Sequence, residues 1–225
     1  MADKRIIRVT GKANLKVKPD TTRITMTLEG SYMEYDETLR KSTEDTEFLK
    51  DILEKHGLER GNIKTLAFNV DPKYEHYQAK DKSWKQRFEG YKFHHILKVE
   101  FDSDNKRLGK ILYALANAEK IHPEFCITYT VKDKEASKNE LLGKAVEDAR
   151  AKAAVLTQAA GVQLKEIQSI DYSWGEITLE YSPMRGNMMA DMCKSAFQAE
   201  ESYDMDIEPD DIEVSDTVTV VWEIA

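Results

Sequence analysis

Residues 91–101 contain the pattern that most restricts the fold, because two sets of side chains alternate strictly along this run. One set is polar except for Ile96, and the other consists of Tyr91, Phe93, His95, Leu97, Val99 and Phe101. Successive residues of a β-strand point to opposite faces of a sheet. The run therefore predicts a strand with one buried face and one solvated face.

Five further stretches predict strands. Residues 5–18 contain Gly11 and end at the turn-forming pair Pro19-Asp20. The other four alternate apolar and polar positions. Their apolar positions are Ile24, Met26 and Leu28; Leu66, Phe68 and Val70; Phe125, Ile127, Tyr129 and Val131; and Val218, Val220, Trp222 and Ile224.

Three helices are predicted where the apolar period lengthens to between three and four residues. The first covers residues 36–57 and the second covers about 103–118. The third is long, begins at a capping box formed by Ser137 and Glu140, and ends at Gly161. Its apolar seam is Leu142, Val146, Ala149, Ala153, Leu156 and Ala160.

The order of these elements indicates an α+β fold, with antiparallel sheets packed against helices. Two parts of the chain also share a spacing. Gly57 is followed by Ile63 six residues later and Thr65 eight residues later, and Gly161 is followed in the same way by Ile167 and Ser169. The spacing predicts two related helix–strand–strand halves.

Length and charge limit the function. A chain of 225 residues buries enough surface to fold without disulfides or metal. The net charge of −8 argues against a dedicated binder of duplex nucleic acid, which needs a basic surface. Cys126 and Cys193 are interpreted as reduced intracellular thiols, with a single disulfide as the alternative.

The sequence contains neither a secretory signal nor an apolar run long enough to span a membrane. A soluble, cytoplasmic protein is therefore expected. An exported protein whose leader had been replaced by Met1 would have the same sequence, so an envelope location stays open.

A long loop is predicted at about 71–90, and its surroundings, 73–92, interleave basic and aromatic residues. The basic residues are Lys73, Lys80, Lys82, Lys85, Arg87 and Lys92, and the aromatic residues are Tyr74, Tyr77, Trp84, Phe88 and Tyr91. Such a composition can bind single-stranded nucleic acid through backbone charge and base stacking. The preferred interpretation is nevertheless a solvated hairpin with some aromatic packing, and a protein or self-association surface is the next alternative.

A second long loop is predicted at 177–211, which is acidic and contains five of the eight methionines. It is interpreted as a solvated loop, with a partner-binding or inter-subunit patch as the alternative. The alternating acids Asp204, Asp206 and Glu208 suggest calcium, but Pro209 occupies the position where an EF-hand loop needs glycine. The opposite charge of the two loops predicts that one subunit's first loop pairs with another subunit's second loop.

The sequence carries no recognised catalytic or metal motif, such as G-x-S-x-G, H-E-x-x-H or C-x-x-C. His94 and His95 are adjacent on a strand, so they face opposite sides. His95 is interpreted as a hydrogen-bonded core residue, with a ligand or general base as the alternative. His76 and His122 have no partner nearby in the sequence. No catalytic residue, metal ligand or cofactor is predicted.

Taken in order along the chain, three motifs resemble the SIMPL-domain family, whose members are largely bacterial. They are Gly11 followed by Pro19-Asp20, the strand start Gly90-Tyr91 after a loop that bears Tyr74, and the alanine-rich helix 145–153 that ends at Gly161. The resemblance implies an α+β domain, a tendency to self-assemble and no established enzymatic activity.

These observations predict a single SIMPL-like domain over residues 1–225. The expected function is that of a non-catalytic, homo-oligomeric interaction or scaffold protein, with a possible protein partner at 177–211. A single-stranded nucleic-acid-binding module that uses 73–92 is the first alternative. A hydrolase with an unrecognised site is the second.

Overall fold

The computed structural model describes residues 5–78, 82–172, 177–182 and 208–225, which form three α-helices and two antiparallel sheets. In chain order the elements are β1 (Ile6–Val17), β2 (Thr21–Tyr32), α1 (Tyr35–Lys55), β3 (Lys64–Gln78), β4 (Trp84–Asp102), α2 (Asn105–Ala116), β5 (Glu124–Thr130), α3 (Lys134–Ala160), β6 (Leu164–Tyr172), β7 (Glu180–Tyr181) and β8 (Ile212–Ile224). This confirms the predicted α+β class.

The chain divides into two compact units, each discontinuous in sequence. The first unit comprises Met1–Asp20, Thr130–Tyr181 and Asp210–Ala225, and the second comprises Thr21–Tyr129 and Ser182–Pro209. The single domain over 1–225 stays a prediction. Within the ranges that the structure describes, no helix is both long enough and apolar enough to cross a membrane.

The first unit is built on a sheet with the strand order β1-β8-β6, in which both pairs are antiparallel. Helix α3 covers β1 and β8, and the predicted apolar face of β8 is buried beneath it at Val218, Val220 and Trp222. The buried face of β1 contains Val9 and Ala13, which pack into the same core.

The predicted start and seam of α3 are wrong in detail. The helix begins at Lys134, where the carboxylate of Asp133 accepts a hydrogen bond of 2.8 Å from the backbone N–H of Ala136, so Ser137 and Glu140 do not form the capping box. Leu156 is 51% exposed. The buried stripe instead repeats every four residues and consists of Leu141, Ala145, Ala149, Ala153 and Thr157.

The second unit contains four antiparallel strands in the order β3-β4-β2-β5. The predicted alternation of β4 is confirmed, since Phe93, Leu97 and Val99 are buried under α1. Helix α2 buries the predicted apolar face, whose members are Leu108, Ile111, Leu112 and Leu115.

The two related halves are confirmed in the order of their secondary-structure elements, since α1 is followed by β3 and β4 and α3 is followed by β6 and β8. Gly57 and Gly161, with φ of +78° and +68°, follow the ends of α1 and α3. The matched residue spacing is not confirmed. A short 3₁₀ helix, Arg60–Asn62, leaves Ile63 buried before β3, whereas Ile167 is 50% exposed inside β6.

Residues 71–90 are not an irregular loop over most of their length, because β3 and β4 continue through them as a hairpin whose last pair is Gln78 and Trp84. The interpretation as a solvated hairpin with aromatic packing is therefore confirmed. The sequence there looked like a loop because both faces of the hairpin are solvated, which removes the apolar alternation. Of the second predicted loop, 177–211, residues 183–207 lie outside the described residues.

Candidate functional site

The main candidate surface is the outer part of the β3–β4 hairpin, residues 73–78 and 84–89, which we name the hairpin arm. Every residue of the arm is exposed except Glu89, which is half-buried. The strands remain paired along the arm, from Tyr74 opposite Phe88 to Gln78 opposite Trp84. Because the arm lacks a buried face, its side chains are free to contact another molecule.

A β-bulge marks the base of the arm. The register shifts between Lys73, which lies opposite Gly90, and Tyr74, which lies opposite Phe88, so Glu89 is the extra residue. Gly90 has a φ of +111°, and a Cβ atom placed on it would lie 2.2 Å from the carbonyl oxygen of Tyr32. Bulges bend a strand and increase its twist, so this position sets the direction of the arm.

A ladder of aromatic rings runs from the start of α1 onto the arm. Tyr35 contacts Tyr91 at 5.2 Å between ring centroids, Tyr91 contacts Phe88 at 5.3 Å, and Phe88 contacts Tyr74 at 5.7 Å. All three contacts are edge-to-face, an arrangement that the ring quadrupole favours. The ladder restrains Phe88 and Tyr74, two of the aromatic side chains of the arm.

Much of this aromatic surface remains open to solvent. Trp84 is 72% exposed and Tyr74 is 50% exposed, and Tyr77 and Phe88 are also exposed. A group of exposed aromatic side chains on one hairpin is unusual for a monomer surface and commonly marks a contact with a partner.

The basic residues of the arm are mostly paired with carboxylates. Arg87 contacts Glu75 at 2.6 Å and Lys73 contacts Glu89 at 3.2 Å. Lys92, just past the arm, contacts Glu29 at 2.5 Å. These pairs neutralise positive charge that single-stranded nucleic acid would need for contacts with its phosphates. Lys80 lies outside the described residues.

The sheet edges of the two units differ. At the outer edge of β1, the N–H of Lys12 donates to Asp148 at 2.7 Å, and the ammonium of Lys152 donates to the carbonyl of Thr10 at 3.5 Å. These side chains of α3 occupy backbone groups that could otherwise pair with another strand. Strand β3 is the outer strand of its sheet, and among the described residues no side chain caps its edge in this way.

His95 is a hydrogen-bonded core residue, as predicted, and is 8% exposed. The hydroxyl of Thr46 donates to the carbonyl of Ser42 at 2.7 Å, so its oxygen accepts the Nδ1–H of His95 at 3.0 Å. Nε2 then accepts from the hydroxyl of Thr65 at 2.9 Å. Burial, with Lys50 as a smaller contribution, holds the pKa of His95 below its ordinary value.

A pH-dependent stability is expected from His95. Its lowered pKa means that the unfolded chain takes up a proton near pH 6.5 while the folded chain does not, so stability falls as the pH drops below about 6.5. The variant His95→Gln removes this titration. The urea midpoint of the wild type should therefore decrease more than that of the variant between about pH 7.5 and pH 5.5. Equal decreases would contradict a neutral, buried His95.

The other histidines do not converge on His95. His94 lies on the opposite face of β4, as predicted, and its Nδ1 contacts Glu29 at 2.7 Å. His76 lies on the arm rather than in a loop, with its Nε2 at 3.4 Å from Gln86. His122 lies between α2 and β5.

The remaining candidates from the sequence are a metal site and the two cysteine thiols. Throughout the described ranges, no three His, Cys, Asp or Glu side chains are grouped so that they could hold a metal ion. The Sγ of Cys126 is half-buried and lies 3.8 Å from the carbonyl of Ile127. Cys193, Asp204 and Asp206 lie outside the described residues, and Glu208 lies within them.

Sequence reasoning missed the start of the aromatic ladder. Tyr35 and Tyr91 are far apart along the chain and meet because β2 pairs with β4, with Tyr32 opposite Tyr91. The sequence also failed to indicate that Leu66 and Phe68, predicted on a strand face, are exposed on the outer strand β3.

The fold and the surface together define an α+β protein with two antiparallel sheets, repeated helix–strand–strand halves and an exposed aromatic hairpin. A family model described as SIMPL, protein of unknown function (DUF541), matches residues 7–222. The chain belongs to this family, which confirms the resemblance. No curated protein matches the chain.

Proposed function

We propose that the chain is a non-catalytic, self-assembling interaction or scaffold protein, and that the hairpin arm is its assembly surface. The observation that carries the proposal is the exposed aromatic surface of the arm, with Trp84 and Tyr74 at least half exposed. A cytoplasmic location belongs to the same proposal.

The charges of the arm favour a protein partner over nucleic acid. With Arg87 and Lys73 paired to carboxylates, Lys82 and Lys85 are the basic residues that the described part of the arm and its turn leave for phosphate. A single-stranded nucleic-acid surface normally tracks several phosphates. A second copy of the chain needs no such excess of positive charge.

A hydrolase receives weaker support from the contacts of His95. Its Nε2 accepts from the Thr65 hydroxyl, which resembles a nucleophile beside a base. However, Nδ1 donates to a neutral hydroxyl, that of Thr46, instead of a carboxylate that would stabilise an imidazolium. Burial also lowers the pKa of His95, which weakens it as a base.

Replacing the aromatic side chains of the arm should abolish assembly. We expect light scattering of the wild type to give a multiple of the single-chain mass, 25.8 kDa, and the triple variant Tyr74→Ser/Trp84→Ser/Phe88→Ser to give about one chain. The variant should remain folded because these side chains are exposed.

The matched control replaces exposed apolar residues elsewhere. Val155→Ser/Leu156→Ser alters two side chains of α3 that are 66% and 51% exposed, and it should keep the wild-type mass. A monomeric wild type at high concentration, or a triple variant that keeps the full mass, would overturn the proposal. Salt-sensitive binding of single-stranded oligonucleotides that is lost in Lys82→Gln/Lys85→Gln would favour the first alternative instead.

A further inference from the structure

A cleft of about 520 Å³ lies in the second unit, between the C-terminal end of α1 and the first turns of α2. Among the described residues, its charged lining consists of Lys55, Lys106, Arg107 and Lys110, with Asp104 as the one carboxylate. The volume lies within the range of small-molecule sites, about 300–1,000 Å³. The local charge is opposite in sign to the net charge of the chain, −8.

Two of the charged groups are held by the protein itself. The guanidinium of Arg107 donates to the carbonyls of His56 and Gly57 at the end of α1 and lies 5.4 Å from the centre of the Phe101 ring. The carboxylate of Asp104 accepts the backbone N–H of Arg107 at 3.1 Å and caps α2. These contacts connect the two helices and shape the cleft, and they leave the lysines as its free charges.

The three lysines have no ion pair and no side-chain hydrogen bond within the described ranges. Some lysines elsewhere on the surface are neutralised by a carboxylate: Lys144 contacts Glu140 at 2.7 Å, and Lys152 contacts Asp148 at 2.7 Å. All three lysines are exposed, and together with Arg107 they give the cleft a positive potential that would attract an anion.

We propose that this cleft binds a small anion that carries two or more phosphate groups. Three ammonium groups match the charge of a di- or triphosphate better than that of a single phosphate. Each ammonium group can donate several hydrogen bonds to the phosphate oxygens. The lysines carry the site, because the Asp104 side chain already occupies an N–H at the start of α2. The proposal does not depend on the hairpin arm.

The test is calorimetric titration of the full chain with sodium tripolyphosphate at low ionic strength. We expect saturable binding that weakens as salt rises, and at least a tenfold loss of affinity in Lys106→Gln/Lys110→Gln. The control Lys18→Gln/Lys165→Gln removes the same charge at exposed positions outside the cleft and should bind as the wild type does.

The outcomes separate the site from general charge attraction. Equal losses in both double variants, or no wild-type binding at millimolar tripolyphosphate, would overturn the proposal. Binding of an oligonucleotide without binding of tripolyphosphate would also overturn it. With the proposal supported, tighter binding of ATP than of tripolyphosphate would identify a nucleotide as the source of the phosphates, and equal binding would identify the phosphate chain alone.

Discussion

Gly11→Ala is expected to destabilise the protein by roughly 3 kcal/mol, at the upper end of the usual cost of overpacking a core. A Cβ atom at this position would lie 2.0 Å from the carbonyl oxygen of Ala145 and 2.5 Å from the backbone nitrogen of Ala149. Both contacts are with helix backbone, so α3 would have to move away from β1. Urea unfolding followed by circular dichroism measures the change.

Gly143→Ala is the matched control, because it adds the same methyl group on α3 itself. Apart from the adjoining backbone of α3, no described residue has an atom within 4 Å of the added Cβ, and alanine favours a helix over glycine by about 1 kcal/mol. The two variants should therefore shift the urea midpoint in opposite directions. A wild-type midpoint for Gly11→Ala would show that α3 does not lie directly on β1 at this point.

The contact at Gly11 also explains why the seam of α3 was predicted incorrectly. The predicted seam included the large residues Leu142 and Leu156 together with Ala149 and Ala153. The helix instead approaches the strand most closely where both surfaces are small, at Gly11, Ala145 and Ala149. Leu156 then lies outside the buried stripe, and this choice depends on a partner strand more than a hundred residues away.

Strands with one buried face were predicted well, whereas the hairpin arm was predicted as a solvated hairpin without the bounds of its strands. The alternation of 91–101 identified β4 because burial of one face leaves a period of two in the sequence. On the N-terminal side of Gly90, neither face of β4 is buried. The period of two therefore disappears from the sequence there, although the backbone of β4 stays paired with β3. Cross-strand pairs such as Arg87 with Glu75 stabilise that part of the hairpin, and a local pattern does not reveal them.

At the candidate sites too, local sequence patterns did not reveal which distant residues meet. The alternation placed His95 on the buried face correctly, but its partners Thr46 and Thr65 come from α1 and β3 and are fixed only by tertiary packing. The phosphate cleft was not predicted at all. Lys55 and Lys106 lie about fifty residues apart in the sequence and share a cavity because α1 and α2 meet there.

Gly90→Ala is expected to cost roughly 2–5 kcal/mol and to change the direction of the hairpin arm. A φ of +111° is strained for any residue with a Cβ, and that Cβ would lie 2.2 Å from the Tyr32 carbonyl oxygen and 2.9 Å from Cα of Met33. The backbone must shift at the bulge, so amide hydrogen exchange should accelerate in 73–78 and 84–89. At Gly61 the added Cβ has no described residue within 4 Å other than its neighbours along the chain, so Gly61→Ala should leave exchange in the arm unchanged.

The same variant separates the direction of the arm from its composition. Gly90→Ala keeps every aromatic side chain of the arm, so any loss of assembly must come from the geometry at its base. If the arm assembles the protein, the mass from light scattering should decrease in Gly90→Ala while Gly61→Ala keeps the wild-type mass. Unchanged exchange, stability and mass in Gly90→Ala would show that the bulge does not orient the arm, because the clash with Tyr32 would then be relieved without consequence.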